Sequence, residues 1–164
     1  MKRLTIIGLI LLIVLSLYNT NVFQAYFMSD QYYKTIFEGP FDPSKKGERL
    51  LIPITFKYKT EYDLLISIPK DDIKCFYNAK GTLNYRFTSR GKILKEGQTL
   101  SPSNTGYYCA SSEGPLSAIL LKFNLPFPGA ANDLILVLEA VNPLTSFSKY
   151  SGEIWCTVEP ALMN

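Results

Sequence analysis

The sequence predicts an all-β fold: an antiparallel β-sandwich of about eight strands, immunoglobulin-like in architecture only, behind an N-terminal hydrophobic helix. Three observations predict it. From Arg49 onward, apolar residues recur at period two, turn residues punctuate the chain at short intervals, and no segment of the body carries a helical period. The expected organisation is a secretory leader or signal anchor over residues 1–21, a connector over 22–38 and one β-sandwich domain over 39–161.

The leader reads "MKRLTIIGLILLIVLSLYNTN". Two cations precede a largely apolar run from Leu4 to Tyr18, the order of a secretory leader. Fifteen helical residues extend roughly 22 Å, short of the roughly 30 Å of bilayer hydrocarbon. No small-x-small cleavage site follows, because Phe23-x-Ala25 places a bulky residue first. Cleavage and retention as an anchor are therefore both open. Positive charge ahead of the apolar run keeps the N-terminus inside and sends the remainder out, to a periplasmic or extracytoplasmic location. The connector is rich in aromatics, with Tyr26, Phe27, Tyr32, Tyr33 and Phe37, and has no clean period. Those rings suit either a membrane interface or a sheet edge, and the connector has room for an edge strand of its own.

In "RLLIPITFKY", Leu50, Ile52, Ile54, Phe56 and Tyr58 share one face, and Leu51, Pro53, Thr55 and Lys57 the other. Pro53 donates no ladder hydrogen bond, which places this strand at an edge. "YDLLISI" follows as a second strand. "KCFYNAKGTLNYRFTSRGKIL" reads as strand, turn, strand, turn, with Leu83, Tyr85 and Phe87 opposite Asn84, Arg86 and Thr88. "GYYCA", "SAILLKFNL", "NDLILVLEAV" and "SGEIWCTVEP" complete the set.

The stretch "NTGYYCASSEG", Asn104–Gly114, imitates the Tyr-x-Cys strand of an antigen-receptor variable domain. The imitation fails on its surroundings. No tryptophan lies between Cys75 and Cys109, the single Trp155 is near the C-terminus, and no Phe-Gly-x-Gly follows.

Composition excludes several chemistries. The chain has no histidine, which removes Ser-His-Asp and Cys-His catalysis and every imidazole zinc site. Three cysteines are too few for an all-thiolate zinc site. The 17 Lys/Arg include Lys2 and Arg3, so 15 cations meet 14 acids beyond the leader, giving no footprint for nucleic acid. No cofactor or metal ligand set is expected. The calcium-loop pattern is missing around Asp71-Asp72, which reads as a turn cap, and Glu61 and Asp63 read as solvating carboxylates.

In an oxidising compartment one cysteine pair should bond. Loop-closure entropy does not choose: about 3.8 kcal/mol for the loop closed by Cys75 and Cys109 and about 4.5 for that closed by Cys75 and Cys156. The expected pair is Cys75 with Cys109. Cys156, which shares a face with Ile154 and Val158, is expected to stay free. Arg86, Arg90, Lys92 and Lys95, opposed only by Glu96, make one hairpin basic. That charge either protects an exposed strand from mispairing or meets an acidic partner or anionic headgroups. Trp155 and surface tyrosines are the candidate aromatic anchors, for a protein or for stacking on a glycan.

The run "EGPFDPSKKGERLLIPITFKYKTEYDLLISI", Glu38–Ile68, resembles the start of small bacterial cell-envelope proteins of unassigned function, in which Gly-Pro-Phe-Asp-x-Ser leads into the first strand of a β-sandwich behind an export leader. Genes of that kind often neighbour secreted antibacterial toxins, so the resemblance implies an immunity role. The lipidation cysteine many of them carry is not found here. The resulting expectation is a non-enzymatic exported binding protein, a periplasmic immunity protein that occludes a toxin. The alternative is a carbohydrate-binding or envelope-assembly module. The expected partners are a protein, with a secreted toxin as the candidate, and the inner membrane if the N-terminal segment is uncleaved.

Overall fold

The computed structural model describes residues 2–18, 20–55, 58–69, 72–104, 107–109 and 115–161; the side chains of 2–5 and 107–109 are outside the description. Three helices open the chain: α1 (Lys2–Tyr18), α2 (Asn21–Phe27) and α3 (Ser29–Tyr32). The strands are β1 (Phe37–Pro40), β2 (Arg49–Pro53), β3 (Glu61–Ile68), β4 (Thr82–Ser89), β5 (Lys92–Gln98), β6 (Tyr107–Cys109), β7 (Leu116–Asn124), β8 (Ile135–Asn142) and β9 (Trp155–Pro160). A fourth helix, α4 (Ile73–Tyr77), lies between β3 and β4. The strands form two antiparallel sheets, β1-β9-β3-β7-β6 and β2-β8-β4-β5.

Period-two alternation sends one set of side chains from each sheet into a common core. Tyr62, Leu64, Ile66 and Ile68 of β3 meet Leu83 and Phe87 of β4 and Leu136 and Leu138 of β8 there. Phe87 bridges the sheets: its ring centroid lies 5.1 Å from that of Phe123 on β7 and 4.5 Å from that of Phe127. Burial of this apolar set, aliphatic and aromatic together, is the main force holding the sheets together.

β2 is an edge strand, as Pro53 demands. Its alternation buries Ile52 and Ile54 and exposes Leu51, while Phe56 and Lys57 lie outside the described residues. The β4–β5 hairpin closes through Arg90 and Gly91, both at positive φ (50° and 72°), the two-residue geometry that matches strand twist. Asp133 holds this turn, accepting from Ser89 Oγ (2.6 Å) and the Arg90 N–H (2.7 Å). Gly81 enters β4 where a Cβ would stand 2.5 Å from the Asn142 carbonyl oxygen, so only glycine lets these segments approach.

The structure departs from the sequence expectations in three places. The connector is not irregular: it forms α2 and α3 before contributing β1 as an edge strand. "KCFYN" is not a strand but α4, with Asp72 as its N-cap accepting from the Cys75 N–H (3.3 Å). The companion Asp71 lies outside the described residues. Finally, the Cys75–Cys109 bond is not formed. Helix α4 turns Cys75 and Phe76 inward against the 145–150 turn, where the free Cys75 thiol donates to the Ser146 carbonyl (3.2 Å). Cys156 is also free and fully buried, and burial pushes its thiol far above the usual range, leaving it unreactive.

Candidate functional site

The outer face of the four-stranded sheet is a grid whose rows follow directly from strand register. Arg49, Glu139, Asn84 and Gln98 form one row, and Leu51, Val137, Arg86 and Glu96 the next. The third holds Pro53, Ile135, Thr88 and Ile93. Two cross-strand ion pairs brace it: Arg49 to Glu139 at 3.0 Å and Arg86 to Glu96 at 3.0 Å. Between and beside them Leu51 is 63% exposed, and Ile93 and Ile135 are exposed as well. The first two rows line a shallow concave surface of about 710 Å³, whose edge runs past Tyr85 and Gly97. Charge at one end, exposed aliphatics at the other and a rigid sheet beneath make up the chemistry of a protein-docking surface.

Of the residues the sequence singled out, only Arg86 lies on this face, and its charge is matched by Glu96. Arg90 occupies the hairpin turn. Lys92 lies on the other side of β5, with Leu94 and the 129–131 turn, and Lys95 stands opposite Phe87. A β-bulge beside Phe87 and Thr88 helps divide the four cations, so they do not form one patch. Trp155, 43% exposed, belongs to the other sheet, in a shallow cleft with Ser67, Pro69, Pro115 and Glu153. Beside it the Ser67 and Ser117 hydroxyls share a hydrogen bond of 2.7 Å. The residues the sequence did not single out are Leu51, Val137, Ile135 and Ile93. Their signal was present: Leu51 is apolar on the polar face of its strand, and "LILVLEAV" is apolar on both.

The carboxylates serve the fold. Asp42 is buried between β1 and β2 and accepts from the Ser151 hydroxyl, Ser44 Oγ (2.6 Å) and Ser44 N–H (3.1 Å), with Lys45 at 3.1 Å. Burial alone would raise its pKa, but these donors outweigh it and hold the carboxyl at about 2. Asp63, on the outer face of β3, has the opposite balance. Burial raises its pKa, and Lys122, 3.5 Å away, offsets this only in part. Asp72 pairs with Lys149 and accepts from the Tyr150 hydroxyl (2.9 Å), with the Lys149 hydrogen bond foremost in lowering its pKa. Among the described residues no group of three or more His, Cys, Asp or Glu side chains is placed to hold a metal ion.

No known family and no curated protein matches the chain. A solved structure does: the crystal structure of GEBA250068378 from Sulfurospirillum deleyianum, with a TM-score of 0.52 at 9% identity, covering 77% of this chain and 98% of that one. At that identity the likeness is one of fold alone.

Proposed function

We propose that this chain is an exported, non-enzymatic binding protein: a β-sandwich of immunoglobulin-like architecture, tethered through its N-terminal helix, that docks a protein partner on the outer face of its four-stranded sheet. The partner is a secreted antibacterial toxin, which makes the chain a periplasmic immunity protein. The observation that carries the binding reading is the grid itself, with Leu51, Ile135 and Ile93 left in solvent beside two ion pairs. A sheet face with no partner normally carries polar residues there. The identity of the partner rests on the resemblance of Glu38–Ile68 to toxin-associated envelope proteins. Arg49 and Arg86 supply salt-sensitive steering, and the aliphatics supply affinity.

The test is capture of envelope and secreted proteins on the full chain in detergent, beside a Leu51→Asp, Arg86→Glu double variant. A stoichiometric protein whose growth-inhibiting activity is suppressed by the wild type, and at least about tenfold less by the variant, supports the reading. A partner held equally by both forms, or one with no toxicity, overturns it. A second reading has its own observation: Trp155 half-exposed beside the paired Ser67 and Ser117 hydroxyls fits the stacking of a sugar ring. Weak glycan binding abolished by Trp155→Ala would favour that module instead.

A further inference from the structure

We infer that α2 is an interfacial helix, lying in the headgroup region of a lipid bilayer and fixing how the β-body stands on the membrane. The inference rests on the tethering proposed above. α1 is exposed along its described length from Ile6 to Tyr18, and a helix apolar all round belongs in lipid or a core. None of the described helices is by itself long and apolar enough to cross a membrane; α1 and α2 have the length and composition only as a pair, and that pair is bent by 77°. With α1 along the bilayer normal, that bend lays α2 nearly flat on the surface.

The two sides of α2 match that position. Gln24 and Ala25 are buried, and the N-terminal half of the helix is pinned: Gln24 Nε2 donates to the Tyr18 carbonyl (2.7 Å) and Asn21 Nδ2 to the Lys59 carbonyl (2.7 Å). On the other side Tyr26 is 79% exposed, Phe27 75%, and Val22 is exposed beside them. Phe23 joins Tyr18 and Phe27 in a run of ring contacts, tilted against the first at 5.4 Å and stacked on the second at 4.7 Å. This aromatic surface begins where the apolar helix ends, the depth at which amphipathic rings collect in membrane proteins. By contrast Tyr32 is buried against Tyr58 (4.8 Å) and Phe37 packs on the core, so the connector's aromatics divide cleanly between lipid-facing and body-facing. The same end of the body carries Arg90 and Lys92, reached through the 129–132 turn and Thr55, where anionic headgroups would meet them. The row of the grid with Arg49, Glu139 and Gln98 then faces away from the membrane, open to a partner.

Depth-dependent quenching in nanodiscs of phosphatidylethanolamine and phosphatidylglycerol tests this with the full chain. Single tryptophans are placed by Phe27→Trp and Gly8→Trp in a Trp155→Phe background, and native Trp155 serves as the aqueous control. Gly8 has open space at its Cβ, so the probe fits. The expected result is that the Phe27→Trp probe loses most of its emission to lipids brominated near the glycerol end of the chain and little to lipids brominated at the chain terminus. Gly8→Trp is quenched by deep bromines and Trp155 by neither. Quenching of Gly8→Trp without Phe27→Trp overturns the inference and leaves the tether standing. Quenching of neither, or a mass showing the N-terminal segment removed, overturns both.

Discussion

The outer faces of the two sheets behave differently. On the five-stranded sheet the central strand β3 is closed on both sides: Leu65 is 3% exposed and Asp63 is buried, although neither points into the common core. On the four-stranded sheet, β4 alternates cleanly and the outward residues of every row reach solvent. β3 sits mid-sheet, with Thr157 and Ile119 beside Leu65 and Glu159 and Lys122 beside Asp63, so neighbouring side chains shut out water. In the grid Leu51 and Ile93 stand on the edge strands β2 and β5, each with a neighbouring strand on one side only, and both stay open. Aliphatics exposed on one face and buried on the other are the contrast on which the proposed docking surface rests.

The largest effect should come where the sheets depend on each other. Phe87→Ala removes the ring that joins β4 to Phe123 and Phe127, and should cost about 3–5 kcal/mol in urea unfolding. The contrast between the faces is then sharpened by a matched pair. Leu65→Ala should cost about 2–4 kcal/mol, whereas Leu51→Ala should stay within about 0.5 kcal/mol. Equal costs at the two positions would dissolve the distinction, because they would mean that Leu51 is as enclosed as Leu65.

Part of this contrast could be read in the sequence. Pro53 places β2 at an edge, but Asp63, expected to solvate the sheet, is buried, because the apolar run "YDLLISI" is enclosed on both faces mid-sheet. Helix α4 could not be read, because five residues are too few to show a 3.6 period and Cys-Phe-Tyr reads as strand by composition. Its one signal is the Asp72 cap, and a capping Asp suits a turn as well as a helix start. The basic hairpin was legible as a composition but not as a surface. Faces depend on register, and the bulge beside Phe87 reassigns them in a way no spacing reveals.

Two buried carboxylates compare the regions again, through pH. Asp42 has a folded pKa of about 2, below its unfolded value near 3.8, so it contributes stability above pH 3.8 that is lost as pH falls through about 2. A shift of that size corresponds to about 2 kcal/mol at neutral pH. Asp42→Asn should lose this near pH 7 and lose little near pH 2. Asp63 is raised, so its contribution is present below the unfolded value and disappears as pH rises through the folded one. Asp63→Asn should therefore stabilise the protein at neutral pH and leave it unchanged in acid. Urea unfolding of both variants at the two pH values reads the opposite signs directly; like signs would mean that Lys122 compensates Asp63 fully.

The smallest effect on stability should fall on the exposed ion pair of the four-stranded sheet. Arg86 and Glu96 are both more than half exposed, so their pair contributes less than about 1 kcal/mol, and Arg86→Ala should barely move the midpoint of unfolding. The same substitution leaves Glu96 unmatched at the β5 end of the row and removes the cation that stands between it and Val137 on the concave face. If the grid docks a partner, Arg86→Ala should slow association and weaken its salt dependence, an effect that stopped-flow binding can separate from dissociation. A change in stability with no change in association rate would place the pair among the structural contacts of the sheet and move the docking surface elsewhere. A rate effect without a stability effect would tie the grid to recognition, since a fold-maintaining contact cannot produce it.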